Sequence, residues 1–286
     1  MKVNNRKNAI TWTEEELDFL NNNYMSLSRN DIARILNKKK SSIDSKMKTL
    51  GLKRGKIRVY SLNEKYFENI DSEEKAYWLG FLYADGCVID KKLKNGNNNG
   101  KKLKISLKRS DFGHLEKFNK SICSNYPIRN KISKINDFEY SIAELSISNT
   151  EFVNNLIKQN IVPRKTYENK YPIVCESLMR HFLRGYIDGD GYIGRIVNEH
   201  RIKYSIEICS YGKDILEMIQ KYLSKNKIDS KIYLKSKNRK DYRMMIFSIN
   251  SVVKLLTLLY SNSTIHLTRK FTVAQEILTE QVPSYK

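Results

Sequence analysis

Several classes of protein are excluded by what this chain has little of. Its four cysteines, Cys87, Cys123, Cys175 and Cys209, are widely scattered. No CxxC pair exists, so neither a zinc ribbon nor a disulfide framework is expected, and free thiols in a reducing compartment are the plain reading. Four histidines, His114, His181, His200 and His266, form no HxH or HxxxH group. Only 4 prolines interrupt the 286 residues, so long regular elements are expected. No apolar run approaches the ~20 residues of a membrane-spanning helix. The opening MKVNNRKNAITW lacks the apolar centre of a secretory signal. No membrane partner is expected. The expected setting is a cytoplasm, bacterial or that of a phage host, with an organelle as the alternative. The abundance of Lys, Asn, Ile and Tyr fits an AT-rich genome.

Negative charge is also in short supply. Lys and Arg number 52 against 31 Asp and Glu, a net charge of +21. Such an excess favours a polyanionic partner, most often nucleic acid. A ribosomal or membrane-surface protein would share the sign, so charge narrows the partner without choosing the function. With 40% hydrophobic and 10% aromatic residues the chain has enough apolar material for a real core.

The first 55 residues read as a small helical domain. TWTEEELDFLNNNY places Thr13 as N-cap with Glu16 three residues on, a capping box, and Leu17, Leu20 and Tyr24 as its apolar stripe. SRNDIARILN restarts at Ser28, with Asp31 in the capping-box position and Ile32, Ile35 and Leu36 facing inward. KSSIDSKMKTLG follows with Ile43, Met47 and Leu50, and stops at Gly51. Three short helices with tight joins resemble a helix-turn-helix domain of the Myb/SANT or homeodomain-like kind. From Lys38 to Arg58 stand Lys38, Lys39, Lys40, Lys46, Lys48, Lys53, Arg54, Lys56 and Arg58 against the single acid Asp44. That balance suits a helix approaching phosphates, with Lys38, Lys39, Lys40, Lys46, Lys53 and Arg54 as the expected contacts. A solvated basic face is the alternative. Residues 56–72 read as a linker.

The remainder repeats itself, as 73–172 and 173–286. Asp85 and Asp190 stand 105 positions apart, as do Lys165 in PRKT and Lys270 in TRKF. KKLKISLKRSDFGHLEKFNKSI and IKYSIEICSYGKDILEMIQKYL each read as an alternating strand, a turn and an amphipathic helix. YSIAELSISNTEFVNNLI and YRMMIFSINSVVKLLTLL do the same. KNGNNNGKK reads as a loop between strands. Lys102, Lys104, Ser106 and Lys108 alternate with Leu103, Ile105 and Leu107, and Lys231, Tyr233, Lys235 and Lys237 follow the same rhythm. The polar sets are expected to meet bases and phosphates while the apolar sets pack under helices.

AYWLGFLYADG (76–86) and RHFLRGYIDGDG (180–191) are apolar helical stretches, and each ends on Asp-Gly. A carboxylate at a helix C-terminus costs ~0.3–1 kcal/mol. The following glycine is expected to supply a left-handed cap. Gly80 and Ala84 are four apart, as are Gly185 and Gly189, so each helix has one face without bulk. Parallel pairing through those faces brings Asp85 and Asp190 together, where they repel unless a divalent cation lies between them. Hard oxygen donors favour Mg²⁺, and two acids with a metal on a basic surface suit phosphodiester hydrolysis. Asp188, two residues before Asp190, is expected to point elsewhere.

WLGFLYADG and LRGYIDGDG resemble the two signature helices of LAGLIDADG homing endonucleases in their single-chain, two-repeat form. The resemblance covers about residues 70–280, and departs from the motif at Trp78 and at its sixth position, which is Tyr83 in one copy and Asp188 in the other. It implies an α+β fold, with an αββαββα unit in each half. The signature helices would form the interface, and two four-stranded antiparallel sheets a saddle over the DNA major groove. The eighth motif position, Asp85 and Asp190, would bind metal, with Ala84 and Gly189 beside it. Both DNA strands would be cut across the minor groove, leaving short 3′ overhangs. Lys165 and Lys270 match a basic position of the family, either as catalytic groups that polarise a water or hold a phosphate, or as solvated charges at helix starts. The implied activity is that of a monomeric, Mg²⁺-dependent endonuclease cutting a long asymmetric double-stranded DNA site. The alternative is a non-cleaving binder on the same fold, a transcription regulator or a maturase for intron RNA. An intein-embedded form is not expected, because the chain opens on Met1 and lacks a terminal His-Asn.

Overall fold

The computed structural model describes residues 11–52, 60–92, 98–135, 137–164, 170–198, 201–236 and 239–281. The chain divides into two compact units at Tyr60/Ser61.

The smaller unit holds α1 (Glu14–Asn23), α2 (Arg29–Ile35) and α3 (Lys40–Thr49). Thr13 and Glu16 form the reciprocal capping box, and the Ser28 hydroxyl accepts from the Asp31 amide. Gly51 ends α3 with φ +68°, a conformation that favours glycine. Leu20, Ile32, Ala33, Ile43 and Met47 make the core, flanked by Trp12, Tyr24, Leu27, Leu36 and Leu52. Ile35 departs from expectation at 53% exposed, because the buried seam of α2 runs through Ile32, Ala33 and Leu36.

The larger unit starts earlier than expected. Residues 61–72 are no linker: Tyr66 and Phe67 are buried, and Phe67 stacks edge-on against Phe152 at 5.6 Å. The Asn149 amide group donates to the Glu64 carboxylate at 2.8 Å. Two copies of one motif then follow. The first runs α4 (Glu73–Asp85), β1 (Gly86–Lys92), β2 (Asn98–Lys108), α5 (Phe112–Ser121), β3 (Ile128–Ile135), β4 (Phe138–Ile147) and α6 (Thr150–Lys158). The second runs α7 (Met179–Asp190), β5 (Gly191–Asn198), β6 (Arg201–Ser210), α8 (Lys213–Lys225), β7 (Lys231–Ser236), β8 (Arg239–Ile246) and α9 (Ile249–Tyr260), with α10 (Thr268–Gln281) added. The sheets are antiparallel, ordered β1-β2-β4-β3 and β5-β6-β8-β7. Each half thus has the expected αββαββα order with one four-stranded antiparallel sheet.

Alternation decides which face is covered. In the first sheet Leu103, Ile105, Ala143, Leu145 and Ile147 are buried, and in the second Ile206, Ile208, Met244 and Ile246. The paired register places Lys104, Ser106 and Lys108 opposite Ser146, Glu144 and Ile142 on the other, open face. Of the expected 94–102 loop, residues 98–102 belong to β2 and residues 94–97 lie outside the described residues.

Candidate active site

The pairing of α4 with α7 positions everything else. A Cβ on Gly80 would overlap the Phe182 carbonyl, and one on Gly185 would overlap the Tyr77 carbonyl. Only glycine permits this backbone-to-backbone approach. Tyr77, Trp78, Phe81 and Leu82 on one helix, and Phe182, Leu183, Tyr186 and Ile187 on the other, are buried around it. Contact advances along both helices in the same sense, from Gly80/Phe182 to Ala84/Gly189, so the pair is parallel. Asp85 and Asp190, the last residues of their helices, therefore arrive at one end. The Asp85 Oδ2 lies 3.3 Å from the place a Gly189 Cβ would take. Asp85 is half-buried and Asp190 exposed.

The glycines that follow are not left-handed caps. Gly86 (φ −74°, ψ 133°) and Gly191 (φ −77°, ψ 159°) are extended, because β1 and β5 begin directly at the helix ends. Glycine is required there for room: a Cβ would press on the Leu82 carbonyl in one copy and the Ile187 carbonyl in the other.

Lys270, at the start of α10, is 7% exposed and is not a solvated charge. Its Nζ donates to the carbonyls of Ile187 (2.6 Å), Gly189 (3.2 Å) and Gly191 (2.5 Å). An ammonium has three donors, so none remains for a water or phosphate. Burial pulls its pKa down to about 8, with Asp188 opposing, Arg269 assisting, and Asp85 and Asp190 opposing. The lysine caps the negative end of α7, where the acid sits, and works by position. Lys165 lies outside the described residues.

Asp188 points away from Asp190, as expected from its spacing; that it enters the core and becomes a hub was not expected. Fully buried, it accepts from Tyr77 Oη (2.8 Å), Tyr260 Oη (2.7 Å) and the Leu267 amide (2.7 Å). Burial pushes its pKa up, against the three hydrogen bonds and the charge of Lys270. Tyr77 gives its one proton to Asp188, so His114 Nε2, 3.1 Å from the same hydroxyl, is the donor there. One turn before Asp188, Arg184 is also fully buried. It donates to the carbonyls of Ile265 and Leu259 and to Glu73 Oε1 at 2.6 Å. This network ties both repeats to the α9–α10 connection. Its sequence signal is a pair of charges, Arg184 and Asp188, four apart within the otherwise apolar stretch Phe182–Asp188.

Among the described residues no group of three or more His, Cys, Asp and Glu could hold a metal. The helix ends offer the carboxylates of Asp85 and Asp190, whereas the Gly189 carbonyl, expected beside the metal, already accepts from Lys270 Nζ. The two carboxylates are hard oxygen donors at the negative ends of two helices, which fits a cation of the Mg²⁺ type.

The expected nucleic-acid contacts fall into three groups. Lys102 and Lys108 stand exposed on the first sheet's open face, while Lys104 is paired with Glu144 at 2.7 Å. Arg129 and Lys131 join that face from β3 and were not anticipated. On the second sheet Lys231 and Lys235 are exposed, Tyr233 is 42% exposed, and Arg243, paired with Tyr233, was not anticipated. The alternation frays there, since Leu234 is 52% exposed, and Lys237 lies outside the described residues. In the three-helix unit Lys39 and Lys40 are exposed at the start of α3. Lys38 is instead drawn inward by Glu16 (2.9 Å) and the Trp12 ring (5.0 Å), which withdraws it from a partner. Lys46 is half-buried over the same ring at 5.6 Å. Lys53 and Arg54 lie outside the described residues.

Comparison with known proteins agrees with this geometry. Residues 177–260 match the family model described as LAGLIDADG-like domain. The meganuclease I-SmaMI bound to uncleaveable DNA matches with a TM-score of 0.52 and 13% identity, over 76% of this chain and 92% of that one. The LAGLIDADG homing endonuclease I-GzeII, in complex with its DNA target, matches at 0.51 and 11%, again over 76% and 92%. These likenesses bear out the fold. A probable translation initiation factor IF-2 of Methanocaldococcus jannaschii is 27% identical over 187 residues, which are 62% of this chain and only 14% of that protein. The resemblance to LAGLIDADG homing endonucleases therefore holds for the second repeat and for the architecture. The three-helix unit lies outside the stretch 177–260.

Proposed function

We propose that this protein is a site-specific, divalent-metal-dependent DNA endonuclease that cuts both strands of a long asymmetric target. The observation that carries the reading is the meeting of Asp85 and Asp190 at one end of a parallel glycine-packed helix pair. Two carboxylates brought to the negative ends of two helices are costly without a cation. Asp85 and Asp190 would hold it, with Mg²⁺ the expected ion, and it would supply Lewis-acid stabilisation of charge on the scissile phosphate. Lys270 holds the last turn of α7 in place beneath that site. The DNA bound by the structural neighbours supports double-stranded DNA as the partner here.

The basic open faces of the two sheets would lie in successive stretches of major groove, whose base edges carry a full code. The two faces differ in residue identity, so a target without twofold symmetry and a monomeric enzyme follow. The three-helix unit would add contacts at one flank through the start of α3, where Lys39 and Lys40 are exposed. An intron-homing role and a cytoplasmic setting fit this reading.

The test is cleavage of a pool of long random-sequence duplexes with Mg²⁺ and with EDTA, followed by sequencing of the new ends. Metal-dependent ends clustered at one asymmetric sequence are expected. Enrichment of bound but uncut duplexes under both conditions would replace the enzyme with a DNA-binding regulator. Binding of folded intron RNA with no DNA bound or cut would replace it with a maturase.

A further inference from the structure

A surface that binds a polyanion is expected to carry few carboxylates, yet one stands in the middle of the first sheet's open face. Glu144, on β4, is 6% exposed. Its Oε2 meets Lys104 Nζ from β2 at 2.7 Å, and its Oε1 meets Lys131 Nζ from β3 at 2.5 Å. The Ser106 hydroxyl lies 3.5 Å from Oε2. The register explains the fit: Glu144 pairs with Ser106 on one side and Arg129 on the other, so the two lysines reach it diagonally. Burial raises the Glu144 pKa, and the hydrogen bonds and charges of Lys104 and Lys131 outweigh it, holding the carboxyl below its ordinary value. The side chains of Lys104 and Lys131 remain 41% and 46% exposed.

Phosphate anchoring is a poor account of this cluster. A long free lysine serves a phosphate as a mobile point charge, and a carboxylate between two of them cancels half their charge. What the carboxylate does supply is direction. Each ammonium spends one donor on Glu144 and keeps two, now held over a fixed spot on the sheet. Guanine presents N7 and O6 as adjacent acceptors in the major groove, and its cytosine partner presents an amino donor to a carboxylate lone pair. Adenine and thymine do not offer that set. The second sheet has a looser counterpart, with Arg243 Nη1 3.4 Å from Glu207 Oε2.

We propose that Lys104, Glu144 and Lys131 form a pre-organised triad that reads guanine in the half-site under the first repeat, and so determines specificity there. This rests on the DNA-binding reading above but not on cleavage.

The experiment is selection of bound duplexes from a randomised pool by the full chain without divalent metal, for the unaltered protein, Glu144→Gln, Lys131→Ala and Lys104→Ala. The unaltered protein is expected to enrich a sequence with at least one guanine position favoured ~10- to 100-fold. That preference collapses in Glu144→Gln and in at least one lysine variant, while the rest of the consensus is kept. Lys131→Ala removes a half-exposed side chain and is expected to fold, which keeps the test open if Glu144→Gln does not. Three results would overturn the triad: an unchanged guanine preference in the variants, a uniform loss of affinity across sequences with a shallower salt dependence, or a consensus with no guanine dependence. A pool from which the unaltered protein binds no duplex at all would overturn the DNA-binding reading together with the triad.

Discussion

The two repeats agree at their shared surface and differ in what supports it. Gly80 and Gly185 make mirror contacts across the helix pair, each against the carbonyl of the other helix. Both helices end on an acid followed by an extended glycine. At the sixth motif position the copies part. Asp188 is buried and accepts three hydrogen bonds. Tyr83 is half-exposed, packs at 5.3 Å from Tyr186, and reaches the Lys170 carbonyl at a long 3.4 Å. The positions that bring the acids together are held in common, while those that brace them are free to diverge.

The largest effect is expected at the sixth position. Asp188→Ala strands two buried tyrosine hydroxyls and the Leu267 amide, which costs about 3–5 kcal/mol at ~1–3 kcal/mol per orphaned donor with partial relaxation. Tyr83→Phe removes one long, exposed hydrogen bond and is expected to cost less than ~0.5 kcal/mol. Urea unfolding of both variants checks this, and equal losses would erase the asymmetry.

Next come the interface glycines. Gly80→Ala and Gly185→Ala each force a methyl into a backbone carbonyl, at about 1–3 kcal/mol or more. Unlike the sixth position, the two should cost nearly the same. A difference beyond ~1 kcal/mol in unfolding free energy would show that the interface is less symmetric than its geometry.

A more gradual effect is expected from acid. Burial, with Lys117, His266 and Arg269, pulls the His114 pKa down to about 3. A free histidine titrates near 6.5. The unfolded chain then binds a proton that the folded chain refuses, so stability falls as pH drops from 6.5 toward 3. The slope is about 1.4 kcal/mol per pH unit from this group. His114→Gln should flatten the difference between unfolding at pH 6.5 and pH 5. An unchanged slope would place the titration elsewhere.

Much of this was legible in the sequence. Spacing alone placed Gly80 with Ala84 and Gly185 with Gly189 on bare helix faces, and parallel pairing of those faces brings Asp85 and Asp190 to one end. Alternation separated Leu103, Ile105 and Leu107 from Lys102, Lys104 and Lys108. Both signals are local periodicities, which survive any tertiary arrangement. The supports were not legible for the opposite reason. Arg184, Asp188 and Lys270 have the hydropathy of surface residues, and partners 72 to 111 positions away satisfy them. Lys38 was misplaced in the same way, since a count of charges cannot tell a lysine facing solvent from one turned onto Trp12. The extended Gly86 and Gly191 were missed because a strand starting directly at a helix end leaves no turn for a left-handed cap.

The most direct test of the account measures DNA binding and double-strand cutting in parallel for the unaltered protein, Asp85→Asn and Asp190→Asn, with Mg²⁺ and a duplex carrying the selected target. Cutting by the unaltered protein, lost in each variant while affinity for the duplex is kept, is the predicted result. Cutting that survives both substitutions, or binding lost together with cutting, would contradict a centre built from these two helix-end acids.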